Sequence, residues 1–193
     1  MGQHILILGG HGKIAQILTR QLLKKPRTIA TVIRAQEQVP QIESLASGQK
    51  RLNVLVRSLE DIKSVCQAKN ILEEVKPDAV VWSAGAGGKG GLDRLAADEV
   101  LLQNSSLQSD FSGISLRPGM LSDEPAGQVE LGKTKTSRGN VSRASVADTI
   151  VSLLENQNVE SSWLDLLYGD HDVNVSVERI ASAGLDAAEG EGN

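Results

Sequence analysis

Three small residues near the amino terminus are spaced for binding a pyrophosphate. Gly9, Gly12 and Ala15 follow an apolar run at residues 4–8 and open a segment with apolar residues at helical spacing. One glycine permits a tight turn, the other lets the backbone approach a pyrophosphate, and a small third residue lets the helix pack close to the strand. The helix N-terminus adds free N–H groups and the positive end of the helix dipole. The pattern favours a dinucleotide-binding turn over a turn with a purely structural role.

An arginine follows the second apolar run of the sequence. Arg34 lies roughly twenty residues past the turn, where an NAD site places an acidic residue on the ribose 2′-hydroxyl. An arginine can instead pair in a bidentate manner with the 2′-phosphate of NADP, so the sequence favours NADP over NAD. Two alternatives remain open: Arg34 is a solvated residue at a strand end, or Glu37 serves the ribose of NAD.

A second group of candidate cofactor contacts follows the fourth apolar run. The stretch at residues 83–91 holds too much glycine for a helix or a strand. It is expected to form a loop at the carboxyl end of a strand, where open α/β sheets bind ligands. In the first turn, His11 is expected to be a contact residue or a solvent-facing side chain. Gly9, Gly12, Lys13 and Ile14 are assigned to the pyrophosphate, Ser83 to the loop, and Ala84 and Gly85 to the ribose and nicotinamide side.

Acid–base, nucleophilic and metal chemistry find little support among the titratable residues. The only tyrosine, Tyr168, has Asp172 four residues later. The chain therefore lacks a Tyr-x-x-x-Lys pair, in which lysine and cofactor lower the tyrosine pKa for proton transfer. Neither His11 nor His171 has a Ser or Cys partner at a recognisable spacing. One cysteine and three scattered histidines cannot form a metal cluster. The catalytic residues stay unassigned, and no metal site is predicted.

Composition excludes several classes of partner. A net charge of -4 and an aromatic content of 2% argue against a nucleic-acid surface, which needs basic charge and stacking platforms. The lone Cys66, expected to be buried in a helix, fits a reducing compartment. The first residues lack the features of a signal peptide, so a cytoplasmic protein without membrane contact is expected. The expected partners are a dinucleotide and a small-molecule substrate, and the oligomeric state is left open.

Alternating strand and helix patterns must position these residues. Apolar runs predict strands at residues 4–8, 28–33, 52–56 and 79–82. Helical patterns cover residues 14–23, 39–46, 59–72 and 92–103. Near-continuous apolar strands that alternate with helices are typical of a parallel sheet covered on both faces, and right-handed crossovers make such a sheet doubly wound. The predicted fold is α/β, with a Rossmann-like, doubly wound and mostly parallel sheet.

The second half of the chain is expected to continue a single domain. It contains strand patterns at residues 112–116, 128–131 and 163–167. A helix start is predicted at Ser145, whose spacing to Asp148 is that of a capping box. A chain of 193 residues is most often one domain. This domain is expected to cover residues 1–180, and the small, acidic residues 181–193 are expected to form a frayed tail.

Several of these motifs together resemble one known family. The Gly9 turn, Arg34, the segment at residues 78–87 and Arg117-Pro118-Gly119 after a late strand are similar to those of atypical short-chain dehydrogenases/reductases, in particular the NAD(P)-binding, NmrA-like proteins. The resemblance runs from residue 4 to about residue 180. It implies a Rossmann fold that binds NAD(P). Some members of the family reduce small carbonyl or flavin-like substrates, and others only sense the dinucleotide.

Two departures from that family bear on activity. Its third strand ends in Gly-Asp-Leu, whose Asp contacts the adenine, whereas Ser58 and Leu59 stand here, so looser adenine recognition is expected. The family also continues from its glycine loop through a helix, a central strand and a Tyr-x-x-x-Lys-like helix that ends in Ala-Asp-Glu. Here Gly91 is followed almost directly by Ala-Ala-Asp-Glu at residues 96–99. A helix-plus-strand unit beside the nicotinamide half of the site is therefore expected to be missing.

The function implied by the resemblance leaves three alternatives. The chain is an NAD(P)(H)-binding protein that acts as an NADP-dependent reductase of small carbonyl or flavin-like substrates, with a proton supplied by solvent or substrate. Alternatively, it is a non-catalytic dinucleotide sensor or regulatory binding protein. The third alternative is an inactive truncated variant, because loss of a central strand exposes sheet edges. The hypothesis is that the adenine and pyrophosphate half of the site survives.

Overall fold

The computed structural model describes residues 2–83, 112–134, 136, 138–156 and 158–184. The chain falls into two compact units, residues 1–85 and 86–193. The predictions for Ala84, Gly85 and the helix at residues 92–103 lie outside the described residues. The same holds for residues 185–193 of the predicted tail.

The first unit is built on a four-stranded parallel sheet. Its strands are β1 (His4–Leu8), β2 (Thr28–Ile33), β3 (Leu52–Val56) and β4 (Ala79–Trp82), in the spatial order β3-β2-β1-β4. All four strands have the bounds predicted from their apolar runs. The order is that of the first four strands of a doubly wound nucleotide-binding sheet, so the predicted α/β, Rossmann-like fold is confirmed.

Three helices connect these strands. They are α1 (Lys13–Leu22), α2 (Val39–Glu43) and α3 (Val65–Val75), with single 3-10 turns at Gln36–Gln38, Ser44–Ala46 and Leu59–Asp61. Helix α3 starts later than predicted because the Ser64 hydroxyl caps it, accepting a hydrogen bond from Gln67 N–H. Cys66 in its first turn is exposed, so the expectation of a buried cysteine is wrong. The buried face of α3 carries Ile71 and Val75 instead.

The sheet is buried on both faces at its central strand. Side chains alternate between the two faces of a strand, and Ile5, Leu6 and Ile7 are all fully buried. On one face, Leu6 belongs to a cluster with Ala30 and Val32 of β2, which α3 completes. A second apolar cluster consists of Ile33, Ile42 and Leu45. The aliphatic core therefore holds the carboxyl ends of β1 and β2 in a fixed relation.

Strand β4 forms one edge of this sheet. Within the described part of the chain it pairs only with β1, with Val80 opposite Leu6 and Trp82 opposite Leu8. Val80 is 47% exposed and Trp82 is 64% exposed, whereas Leu6 is fully buried. The face that α3 covers at β1 and β2 is thus open at β4. An open face and edge at this strand are what a missing helix-plus-strand unit would leave.

The second unit contains a three-stranded and a two-stranded sheet. In the first, β5 (Ile114–Pro118) pairs in parallel with β9 (Ser162–Tyr168), which pairs antiparallel with β7 (Val129–Gly132). In the second, β6 (Met120–Ser122) pairs in parallel with β8 (Asn140–Ser142). Two helices, α4 (Arg143–Glu155) and α5 (Val173–Ala183), pack against each other. The three strands predicted in this half are present, with their ends shifted by one or two residues.

Neither α4 nor α5 starts as the sequence predicts. Ser142 is the N-cap of α4, since its hydroxyl oxygen accepts a hydrogen bond from Ser145 N–H at 2.9 Å. Ser145 is buried within the first turn, so the capping-box prediction at Ser145 is wrong. Helix α5 has no counterpart in the prediction, and the carboxylate of Asp172 caps it by accepting from Asn174 N–H at 2.8 Å. Its last turn includes residues 181–183, which were assigned to the tail.

Replacing Ser142 by alanine should lower the free energy of unfolding by about 1–2 kcal/mol, because Ser145 N–H would lose its acceptor at a buried helix start. The matched variant is Ser64→Ala, which removes the exposed cap of α3 and should cost less, about 0.5–1 kcal/mol. Urea denaturation followed by circular dichroism measures both losses. Equal losses would contradict the buried role of Ser142.

Candidate functional site

The glycine turn is fastened to the end of β2. The N–H groups of Gly9 and Gly10 both donate to the carbonyl oxygen of Val32, at 3.2 and 2.9 Å, and Gly12 N–H donates to the Gly9 carbonyl at 3.0 Å. Gly9 has a φ of 87°, in the left-handed region that favours glycine. These bonds occupy the amides of Gly9, Gly10 and Gly12. The amides of the helix that follows are the next donors available to an anion at this site.

Gly10 is required for close packing of the turn on β2. A Cβ atom added at Gly10 would lie 1.8 Å from Oγ1 of Thr31, a residue of β2 that is fully buried. Only a residue without a side chain allows the turn to lie this close to β2. The sequence pattern assigned no role to Gly10, because the register of β1 on β2 is not visible in the spacing of the turn.

The N-terminus of α1 is open to a ligand. Gly12 is its N-cap, no side chain caps it, and its first turn holds no acidic residue. The first intrahelical bond runs from Gln16 N–H to the Gly12 carbonyl at 3.0 Å. The amides of Ile14 and Ala15 therefore have no acceptor within the helix and lie at the positive end of its dipole. This arrangement suits an anionic group such as a phosphate.

His11 is held in a hydrogen-bonded chain at the surface. Nε2 of Gln41 donates to Oε1 of Gln16 at 3.0 Å, which leaves Oε1 of Gln41 to accept from Nε2 of His11, also at 3.0 Å. Nε2 of Gln16 in turn donates to the His11 carbonyl at 2.8 Å. The chain links the glycine turn to α1 and α2. His11 thus orients the turn, and its role as a cofactor contact stays a prediction.

The parallel strands bring most of the predicted site residues to one edge of the sheet. Nine of them lie at the carboxyl edge: Gly9, His11, Gly12, Lys13, Ile14, Arg34, Ser58, Leu59 and Ser83. The ends of β1 and β4 are close, since a Cβ added at Gly12 would lie 3.7 Å from the Ser83 carbonyl oxygen. The assignment of these residues to parts of a cofactor remains a prediction.

Two arginines stand at this edge with different surroundings. Arg34 is exposed, and no hydrogen bond or ion pair of its guanidinium occurs among the described residues. Arg57, which the sequence pattern did not single out, donates through Nη2 to Oε2 of Glu74 on α3 at 2.5 Å. The Arg57–Glu74 pair depends on the contact of β3 with α3, so spacing alone gave no signal for it.

The described part of the chain meets the requirements of neither a metal site nor a membrane-spanning helix. No group of three or more His, Cys, Asp or Glu side chains there could hold a metal ion. No helix among those residues has the length and apolar character needed to cross a membrane. Tyr168, the only tyrosine, lies at the end of β9 in the second unit.

One family model and several known proteins are similar to this chain. A family model described as NAD(P)H-binding matches residues 92–157. An uncharacterized sugar epimerase, YhfK of Bacillus subtilis, is 23% identical, and the match covers 91% of this chain and 99% of that protein. A putative NAD-dependent epimerase/dehydratase from Bacillus halodurans has a TM-score of 0.69 at 22% identity, over 92% of this chain and 100% of that one. ChuY, an anaerobillin reductase from Escherichia coli O157:H7, has a TM-score of 0.64 at 18% identity, over 88% of this chain and 98% of that one.

The alignment with the Bacillus subtilis protein also bears on the missing unit. It spans 221 positions, more than the 193 residues of this chain. The relative therefore contains residues, within the matched region, that this chain lacks. A missing helix-plus-strand unit would account for such a difference, and both the missing unit and its location near residue 91 stay predictions. The matches to solved structures confirm the Rossmann-like fold, and the family model that matches residues 92–157 is described as NAD(P)H-binding.

Replacing Gly10 by alanine should destabilise the protein by about 1–3 kcal/mol, because the new methyl group would overlap the Thr31 hydroxyl in a filled core. The Thr31→Ala variant alone should cost less, since Oγ1 of Thr31 has no hydrogen-bond partner among the described residues. The double variant Gly10→Ala/Thr31→Ala should regain part of the loss, because it removes the overlapping atom. Denaturant unfolding of the four proteins forms a double-mutant cycle. Additive losses would show that the overlap is not the cause.

Proposed function

We propose that this chain, a Rossmann-like NAD(P)-binding protein consistent with the atypical short-chain dehydrogenases/reductases, binds NADP(H) at the carboxyl edge of its four-stranded sheet. The observation that carries the proposal is the N-terminus of α1, which no side chain caps and which has no acidic residue in its first turn. The amides of Ile14 and Ala15 are available there to a pyrophosphate.

Each part of the cofactor has proposed contacts at that edge. The pyrophosphate lies over the turn at Gly9 and Gly12 and the start of α1 at Lys13 and Ile14. The adenine lies at the end of β3, beside Ser58 and Leu59. The ribose and nicotinamide side follows β4, at Ser83, Ala84 and Gly85. His11 contacts the cofactor from within the turn that its hydrogen bonds orient.

A preference for NADP over NAD follows from Arg34. Its exposed guanidinium stands at the end of β2, the place from which a Rossmann protein reads the 2′ position of the adenine ribose. A guanidinium offers two parallel N–H groups to a phosphate. Glu37, in the 3-10 turn that follows, is the residue that would serve NAD instead.

The Arg34→Ala variant should bind NADP about 10- to 100-fold more weakly and bind NAD unchanged, because a charge-assisted hydrogen-bond pair is lost only for the 2′-phosphate. Calorimetric titration with each nucleotide measures this. Arg34→Lys is the matched control, and it should recover part of the affinity since it keeps the charge without the paired geometry. Equal weakening of both nucleotides would reject the assignment, and selective loss of NAD binding in Glu37→Gln would favour the NAD alternative.

The proposed use of the bound cofactor is reduction of a small carbonyl or flavin-like acceptor. A similar fold in ChuY belongs to a reductase. The bound cofactor supplies the hydride, and the site residues of this chain bind and orient it. Because the chain has no Tyr-x-x-x-Lys pair, the proton comes from solvent or from the acceptor itself. Any rate enhancement then comes from positioning the bound cofactor relative to the acceptor.

A non-catalytic dinucleotide sensor is the second candidate. The same lack of a tyrosine–lysine pair favours it, as does the open edge at β4, where the strand next to the nicotinamide half would be missing. Sensing needs only the half of the site that binds adenine and pyrophosphate. In either case we propose a cytoplasmic protein of a single domain over residues 1–180 with no nucleic-acid partner, which suits a net charge of -4.

Oxidation of NADPH with a panel of quinones, flavins and aldehydes separates the two candidates. We expect slow turnover with at least one acceptor. The loss of absorbance of the reduced nicotinamide measures its rate. Tyr168→Phe is the control and should leave the rate unchanged, because Tyr168 lies in the second unit and is not the proton donor in the proposal. Measurable NADPH binding without oxidation by any acceptor would contradict the reductase and leave the sensor.

A further inference from the structure

Arg57 stands beside Arg34 at the carboxyl edge. Strands β2 and β3 pair in parallel with Ile33 opposite Val56, and Arg57 N–H donates to the Ile33 carbonyl oxygen at 2.7 Å. Arg34 follows Ile33 at the end of β2, and Arg57 follows Val56 at the end of β3. Because paired strands lie about 4.8 Å apart, the two arginine backbones are neighbours.

Strand alternation places both arginines on the side of the sheet that α3 covers. Val32 and Leu55 belong to the apolar cluster that packs against α3. Arg34 and Arg57 lie two residues further along the chain, each one residue past the end of its strand, and side chains two residues apart in extended backbone share a face. The ion pair of Arg57 with Glu74 of α3 confirms this direction for Arg57.

The two guanidinium groups differ in their counter-ions. Arg57 is paired with Glu74 at 2.5 Å, and the two side chains are 40% and 44% exposed. An ion pair this exposed is weak, because solvent screens it. A phosphate carries more charge than a carboxylate and accepts from two guanidinium groups at once, so it can replace Glu74 as the partner of Arg57.

We infer that Arg34 and Arg57 together form the site for the 2′-phosphate, and that Glu74 neutralises Arg57 only until the phosphate replaces it. The inference rests on the proposed binding of NADP(H) and adds a second specificity-determining residue and a competing carboxylate. NAD has no 2′-phosphate, so the Arg57–Glu74 ion pair stays formed when NAD binds.

Removal of the competing carboxylate provides the sharpest test. The Glu74→Gln variant should bind NADP about two- to fivefold more tightly, since Arg57 no longer leaves a partner, and should bind NAD unchanged. Glu73→Gln is the matched control on the same helix: Glu73 pairs with Lys69 at 3.5 Å, so this variant removes an equal charge without releasing Arg57. It should leave the affinity for both nucleotides unchanged. Calorimetry at low ionic strength measures the dissociation constants.

Loss of the second cation tests the same site in the opposite direction. Arg57→Ala should weaken the binding of NADP about tenfold and leave the affinity for NAD unchanged. Its effect should be smaller in the Arg34→Ala background, because the two side chains share one phosphate. Thermal unfolding of each variant checks that the fold is retained.

The possible results separate this inference from the proposed function. If Arg34→Ala selectively weakens NADP while Arg57→Ala and Glu74→Gln change nothing, the inference is overturned and NADP binding stands. If Glu74→Gln tightens NADP and NAD equally, the effect is one of general charge, and the inference is again overturned. If the wild-type protein binds neither nucleotide, both the inference and the proposed function fail.

Discussion

A single carbonyl group, that of Val32, determines how the candidate site is built. It accepts the amides of both Gly9 and Gly10, and so ties the turn after β1 to the end of β2. Because the turn is fixed there, α1 starts at Lys13 with its amides directed at the carboxyl edge, and Arg34 lies two residues beyond the same carbonyl. The fit of Gly10 over Thr31 makes this bond possible, since a side chain at Gly10 would push the turn away.

The four strands of the first unit could be predicted from the sequence to the residue. Each is a near-continuous apolar run bounded on at least one side by a glycine or a charged residue, which is typical of strands buried in a parallel sheet. The helices were harder to predict because their starts depend on single capping side chains, as Ser64 and Ser142 show. Helix α5 begins Val-Asn-Val-Ser-Val, an alternation typical of a strand, and the cap at Asp172 together with packing against α4 decides in favour of a helix.

The candidate site divides in the same way between local and long-range features. The glycine turn and Arg34 are local signals, so their place at the carboxyl edge could be predicted from spacing and parallel topology. Gly10 and the Arg57–Glu74 pair could not, because each depends on a contact between elements far apart in sequence. Cys66 shows the same limit: an apolar residue in a helix is buried only if its face of the helix packs.

The exposure of Trp82 makes the protein its own optical reporter. The chain has two tryptophans, and the other, Trp163, is 7% exposed in β9 of the second unit. A collisional quencher dissolved in water therefore reaches mainly the indole of Trp82, the last residue of β4 before Ser83. The quenchable fluorescence arises at the carboxyl edge of the first unit and the protected fluorescence in the second. Events in the two halves of the chain can thus be told apart without attaching a dye.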